Sequence, residues 1–329
     1  MSHLVTVKPY RRRFRKPLQT AHGEWALREG FLLRVEGEAG VGYGEVAPIP
    51  EFGSETVGQA AEFLQRLVRD PGLELPRGLP CCAFALSAAL MQIPEGRPPC
   101  RPRVYDVSAL LPAGAAAVRQ AREKIDLGYQ NLKWKIGVEP ITKELVTCRS
   151  LLESLPTGVK LRLDANASLS CDDFERWLEL LAAFPEQVDY LEQPLPCGHE
   201  ASMALCMESS GVSIALDESL NAAVGASFLS VGAWAGPLVV KAPLMGDIAS
   251  LRELLRPVAG QVVLSSVFEA GVGLENALSL ADTLPEMSRP IGFDTVGAFD
   301  DQLNHIAPSP RVQPAERESY NPETIWNLI

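Results

Sequence analysis

Val159-Lys-Leu-Arg-Leu-Asp164 is a short β-rich run that ends in a carboxylate, and four other runs share its form. Asn131-Leu-Lys-Trp-Lys-Ile136 carries Lys133 and Lys135, and Val188-Asp-Tyr-Leu-Glu192 ends in Glu192. Val212-Ser-Ile-Ala-Leu-Asp-Glu218 ends in Asp217 and Glu218, and Pro237-Leu-Val-Val-Lys241 ends in Lys241. Helical stretches separate the runs, and strands alternating with helices indicate a parallel sheet. Consecutive strands that all end in charge point to a (β/α) barrel, whose chemistry sits at the carboxyl ends of its strands.

The same rhythm extends in both directions. Val104 to Leu110 reads as strand one, followed by an Ala-rich helix from Ala113 to Asp126 that stops at Gly128. Strands two to six end at Lys135, Asp164, Glu192, Asp217 and Lys241, strand seven near Ser265, and an eighth lies around Pro290 to Asp294. Residues 1–100 have another texture. Phe31 to Glu36 and Gly40 to Val46 read as an antiparallel hairpin, Ser54-Glu-Thr56 as a helix start before the amphipathic Val57 to Leu67, and Cys81 to Met91 as a buried helix. The expected architecture is α/β: a (β/α)7β TIM-like barrel over residues 101–307 with an N-terminal α+β capping domain over 1–100. The Pro- and Arg-rich segment from Pro94 to Pro102 is the linker, and the tail 308–329 is expected to pack back on the first domain.

Bulk properties exclude several classes. The chain has 329 residues, 47% hydrophobic and 22% charged, with a net charge of −11 that argues against nucleic acid or an anionic membrane as partner. The exception is the basic run Lys8, Arg11, Arg12, Arg13, Arg15 and Lys16, read either as a solvated strand or loop face or as a contributor to anionic-ligand binding. No stretch suits a membrane span or a signal peptide, and seven scattered cysteines without zinc-ligand spacing read as free thiols. A cytoplasmic protein acting on a small-molecule carboxylate, with no obligate protein partner, is expected. The four histidines form no motif.

In an eight-stranded barrel strands two and six oppose each other, with strands three to five between them. Asp164, Glu192 and the strand-five acid then share one arc of the rim, with lysines on both flanks. Parity agrees: Lys133 and Lys135 share a face, as do Arg162 and Asp164, and Asp217 points inward with Glu218 beyond it. Asp217 is preferred as the third ligand, although a bulge would substitute Glu218. Three carboxylates without Cys or His select Mg²⁺, with Mn²⁺ as substitute, over zinc. A lysine whose pKa is depressed by a neighbouring cation can act as a base, and a divalent cation can stabilise the enediolate formed by removing a proton α to a carboxylate. Lys133 taken alone reads better as a neutraliser of the acids. Ser265-Ser-Val-Phe-Glu269 follows strand seven, either as a cradle for a substrate carboxylate or as a helix N-cap.

Lys133-Trp-Lys135, Asp164-Ala-Asn166, Glu192-Gln-Pro194, Asp217-Glu-Ser219 and Val240-Lys241 resemble the motifs of the enolase superfamily, muconate-lactonizing subgroup. Gly42 to Thr56 and Ser265 to Glu269 look like segments of the o-succinylbenzoate synthase family within it, and the resemblance covers essentially the whole chain. It implies Asp164, Glu192 and Asp217 as Mg²⁺ ligands, Lys135 as the acid/base and Lys241 as the opposite-face stabiliser. Lys133 would keep Lys135 deprotonated, Asn166 would support the metal shell, and Arg162, Ser265 and Ser266 would orient the substrate. A loop near Ala21 to Glu24 would close over the ligand. The implied reaction is dehydration of 2-succinyl-6-hydroxy-2,4-cyclohexadiene-1-carboxylate through a metal-stabilised enediolate, in menaquinone or phylloquinone biosynthesis. Two alternatives stand beside it: an N-succinylamino acid racemase or dipeptide epimerase on the same scaffold, and a non-catalytic metal-binding barrel.

Overall fold

The computed structural model describes residues 3–20, 23–72, 74–93, 101–220, 234–285 and 287–329. Three antiparallel strands, β1 (Leu4–Thr20), β2 (Gly23–Gly37) and β3 (Gly40–Val46), form a sheet in that order. β1 is an edge strand, which is why Pro9 and Pro17 are tolerated within it. Helices α1 (Val57–Arg69) and α2 (Pro80–Met91) cover one face. Thr56 caps α1 through a reciprocal capping box with Gln59, and the Glu55 carboxylate accepts the Cys81 and Cys82 amides at the start of α2. α2 lies so close to β3 that a Cβ at Gly42 or Gly44 would collide with the carbonyls of Ala89 and Ala85. Gly42 and Gly44 thus serve close packing.

Two short strands, β4 (Tyr105–Asp106) and β5 (Ala109–Leu111), lead into the barrel. There follow β6 (Asn131–Lys135), β7 (Lys160–Asp164), β8 (Val188–Glu192), β9 (Ile214–Ala215), β10 (Leu238–Val240) and β11 (Val262–Leu264). β5 to β9 form one parallel sheet, and the parallel bridge Leu216 to Leu238 joins β9 to β10, which pairs with β11. Closure comes from the segment at Ile291 and Gly292, bridged to Ser265 on one side and Val107 on the other. The eight expected staves are all present, with the eighth reduced to a bridge. Helices α3 (Ala116–Asp126), α4 (Ile141–Ser154), α5 (Cys171–Leu181), α6 (Glu200–Ser210), α7 (Ile248–Leu255) and α8 (Gly271–Thr283) wrap the outside. Trp134, Trp177 and many aliphatic side chains fill the layer between strands and helices, while Tyr190, Ala215, Val239 and Val263 pack inside the barrel. Burying such surface, at about 25 cal/mol per Å², is the main source of stability.

The tail divides. Strand β12 (Arg311–Val312) pairs with β4, and Arg317 on helix α9 (Pro314–Glu318) forms ion pairs with Glu275 and Asp282 of α8. The final helix, α10 (Pro322–Leu328), reaches the N-terminal sheet, where Trp326 meets Tyr43 and Tyr320 packs beside them. The expectation that the whole tail packs on the first domain is corrected: its first half belongs to the barrel.

The basic run is largely a solvated strand face, with Arg11, Arg13, Arg15 and Lys16 exposed on β1 and Arg12 the buried exception. Arg12 donates to both carboxylate oxygens of Asp301 and to the Glu269 carbonyl, and Arg15 donates to the Phe299 carbonyl. Buried Arg28 on β2 ties the Ala47, Pro48 and Val267 carbonyls together. From the other side, Glu45 of β3 accepts the Ala270 and Gly273 amides at the start of α8 and the Tyr10 hydroxyl. These contacts seat the N-terminal sheet on the carboxyl rim of the barrel.

Candidate active site

Parallel pairing places Lys135 opposite Asp164 and Asp164 opposite Glu192, so three of the expected residues stand side by side at the rim. The chain turns sharply just beyond, with Asn166, Ala167 and Gln193 in the left-handed region at φ of 44°, 59° and 34°. Strained backbone of this kind clusters at functional sites.

Lys133 lies between two acids, its Nζ 2.8 Å from Asp164 Oδ2 and 2.7 Å from Glu192 Oε1. Burial alone would lower its pKa, but Asp164 and then Glu192 outweigh burial and hold Lys133 above the lysine range. Asp164 is driven upward by burial and then, more strongly overall, downward by Lys133, ending below the usual carboxylate range. Glu192 is fully buried, and burial followed by repulsion from Asp164 pushes it well above its usual value. One ammonium thus serves two carboxylates, and Glu192 is the one left under-compensated.

On the far flank Lys241 follows β10, and its ammonium meets both oxygens of Asp217. Burial works to lower Lys241, while Asp217 and then Glu218 reverse the effect and raise it. Glu218, the next residue, is pushed up to about 7 by burial and then by Asp217. Asn166 links the two sides: its amide N–H donates to Asp164 Oδ1 and its Nδ2 to Glu218 Oε1. Among the described residues no carboxylate forms an ion pair with Lys135, which is half-buried.

No finished cage of three ligating side chains exists among the described residues, because ammonium groups stand between the acids. The donor set nevertheless fits a hard divalent cation. Among the described residues Glu192 Oε2 and Glu218 Oε2 are buried without a hydrogen-bond partner, and all the converging donors are carboxylate oxygens. An uncompensated buried carboxylate is costly, and a cation relieves that cost.

Two expected substrate-orienting residues lie elsewhere in the hydrogen-bond network. Arg162 is one layer below the rim: Nε donates to Asp189 Oδ2, Nη1 to the Pro290 carbonyl, and the guanidinium stacks on Tyr190. Only the buried Nη2 lacks a partner among the described residues, so Arg162 first serves the barrel floor. Ser266 donates to Glu269 Oε2 and accepts from the Phe268 amide and the Thr295 hydroxyl. A hydroxyl has one donor and two acceptor sites, and all are taken. The expectation that the Ser266 hydroxyl orients a substrate is therefore corrected, since it builds the loop after β11. Ser265, on the inward face, makes no side-chain hydrogen bond among the described residues. The expected closing loop lies partly outside the described residues, at Ala21 and His22; Gly23 and Glu24 begin β2.

Sequence reasoning missed three residues. Gln193, fully buried, accepts the amides of Asp217 and Ser219 through Oε1 and donates to Ser219 Oγ and the Leu195 carbonyl. Asp189 pairs with Arg162 and Arg289 because a register shift between β7 and β8 displaces it from simple alternation. Phe52, from the N-terminal region, presents its ring to Lys241. Only Gln193 carried a signal, its place before Pro194 in a strand-end motif.

Comparison with known proteins agrees with this architecture. Residues 116–303 match the family described as enolase C-terminal domain-like, and residues 15–93 match the MenC N-terminal domain. The chain is 35% identical over 285 residues to the o-succinylbenzoate synthase of Thermosynechococcus vestitus, covering 83% of this chain and 87% of that protein. It is 33% identical to the synthase of Yersinia enterocolitica, covering 85% and 86%. Among solved structures it is similar to the o-succinylbenzoate synthase of Thermosynechococcus elongatus BP-1 complexed with Mg in the active site, with a TM-score of 0.83, 32% identity, and 99% and 100% of the two chains covered. It is also similar to N-succinyl Arg/Lys racemase of Bacillus cereus, with a TM-score of 0.77 and coverage of 100% and 98%, but at 18% identity this likeness shows the fold alone.

Proposed function

The chain belongs to the o-succinylbenzoate synthase family of the enolase superfamily, and from that premise we propose that it dehydrates 2-succinyl-6-hydroxy-2,4-cyclohexadiene-1-carboxylate to o-succinylbenzoate and water. The enzyme is a Mg²⁺-dependent lyase of the menaquinone or phylloquinone pathway. The observation that carries this assignment of roles is the rim itself: Lys135 beside Asp164 on one flank, Lys241 beside Asp217 on the other.

Asp164, Glu192 and Asp217 would hold the cation, with Asn166 steadying Asp164. When bound, the cation supplies positive charge to the substrate carboxylate as the enediolate forms. Lys135, as the free amine, removes the proton α to that carboxylate. The resulting ammonium then gives the same proton to the departing hydroxyl, so that water leaves and the ring becomes aromatic on one face of the site. Lys133 stands two residues from Lys135 on the same strand face, its ammonium held between Asp164 and Glu192. Lys241 contributes positive charge from the other flank. Ser265 would help to orient the substrate. Charges fixed in place before the reaction commonly supply more of the rate enhancement than any other single effect.

No helix among the described residues is long and apolar enough to cross a membrane. A cytoplasmic location is supported by the six described cysteines, all free thiols.

Incubation of the protein with the diene carboxylate and Mg²⁺, followed by chromatography, should yield o-succinylbenzoate. Absence of product while the cation is bound would overturn the assignment. Lysines on opposite flanks also favour a second activity, two-base racemisation of N-succinyl amino acids, for which α-deuterium exchange is the test.

A further inference from the structure

Lys241 is gripped from two directions by two different parts of the chain. Asp217 takes its ammonium on one side, and on the other the ring of Phe52 lies with its centroid 4.1 Å from Nζ. Phe52 belongs to the N-terminal region, so the contact spans the seam between sheet and barrel.

The placement is built rather than incidental. Phe52 ends a 3-10 turn over Pro50–Phe52, closed by the Phe52 amide on the Ile49 carbonyl and the Gly53 amide on the Pro50 carbonyl. Gly53 takes φ 84°, which halts the turn, and Ser54 Oγ accepts the Ile49 amide. Just upstream, Arg28 binds the Ala47 and Pro48 carbonyls and the Val267 carbonyl of the barrel loop after β11. The turn is thereby registered against the barrel. Trp25 of β2 meets Phe52 edge-on, with centroids 6.3 Å apart, and limits its lateral movement.

We propose that Phe52 is a positioning residue for Lys241: its π face holds the ammonium at the rim in the orientation the reaction uses. An aromatic ring attracts a cation without accepting its protons in strong hydrogen bonds, so it can aim the group while leaving an N–H directed at the substrate. A second carboxylate there would hold Lys241 in place of the substrate, and an aliphatic side chain would let water enter. The N-terminal region would thus shape the second catalytic lysine as well as cover the site. This inference rests on the dehydratase reading for its kinetic consequence and on geometry alone for its structural one.

Two measurements separate these. Phe52→Leu and Phe52→Tyr would be assayed with the diene carboxylate at saturating Mg²⁺. A partly desolvated cation–π contact predicts that Leu lowers kcat roughly 3- to 30-fold with KM little changed, and that Tyr retains parental kcat within about twofold. In parallel, lysine labelled with ¹³C at Cε should show the Lys241 ε-methylene protons displaced upfield by the ring current, the signal being assigned through its loss in Lys241→Ala. The displacement should persist in Phe52→Tyr and vanish in Phe52→Leu. The proposal falls if no displaced signal exists in the parent, if Leu changes KM alone, or if Leu and Tyr lose kcat equally. If the parent makes no o-succinylbenzoate, the dehydratase reading fails, and the lysine spectrum still decides whether Phe52 positions Lys241.

Discussion

The amide N–H of Asp217 donates to the side-chain carbonyl of Gln193 at 3.0 Å, so a residue that touches no substrate sets where a proposed metal ligand stands. The same oxygen takes the Ser219 amide, and Ser219 passes the constraint on to Glu200. Replacing Gln193 with Leu frees the turn that carries Asp217. Outer hydrogen bonds of this kind are worth about 10- to 100-fold in metal affinity. Calorimetric titration of Mg²⁺ should show a Kd raised by about that factor in Gln193→Leu, and an unchanged Kd would refute the role.

Lys135 carries no ion pair among the described residues and faces Asp164 across the strand pair. Lys135→Ala should therefore leave stability close to the parent while lowering kcat by about 10²- to 10⁴-fold, the usual range for a general acid–base group. A variant that retains parental turnover would remove Lys135 from the acid/base role.

Glu45 caps a barrel helix from the other sheet, accepting the Ala270 amide at 2.7 Å and the Gly273 amide at 2.8 Å. Glu45→Ala leaves two buried amides and the Tyr10 hydroxyl without their acceptor. At about 1–3 kcal/mol for an unsatisfied buried group, partly relieved by water, the loss should total about 3 kcal/mol in urea denaturation. A loss below about 1 kcal/mol would mean that the sheet and the barrel are held together elsewhere.

Asp189 joins Arg162 and Arg289 in the barrel floor. Burial would raise its pKa, but Arg162 and then Arg289 outweigh burial and hold it below the usual carboxylate value. A depressed carboxylate contributes stability that is complete above its unfolded value, about 3.9, and is lost as pH falls through the folded value. Asp189→Asn should therefore destabilise the protein at pH 7 by about 3–5 kcal/mol, as expected for breaking a buried pair. The gap between variant and parent should narrow below about pH 4. A pH-independent gap in thermal melts would assign the loss to packing instead.

Much of the site was legible because strand alternation is a local property. Lys133, Lys135, Asp164, Glu192 and Asp217 stand on the inward face that parity assigns them, and the rim order follows from strand order. Alternation says which face a side chain takes but not its depth, so Arg162 and Asp164 looked equivalent although Arg162 lies in the floor. It also assumes an unbroken register, and the shift between β7 and β8 brings Asp189 to a partner that counting would not find. The edge strand β1 was obscured by its own prolines and arginines, whose partners Asp301, Glu269 and Phe299 are more than 250 residues away.

The sequence alone determined the barrel and the convergence of acids and lysines, because each is written in spacings of a few residues that backbone geometry converts directly into direction. Tertiary structure alone decided that Phe52 faces Lys241, that Gln193 holds Asp217 and that Ser266 builds a loop. Those contacts join segments distant along the chain, or depend on left-handed turns at Gln193 and Phe268 that only the surrounding packing makes tolerable.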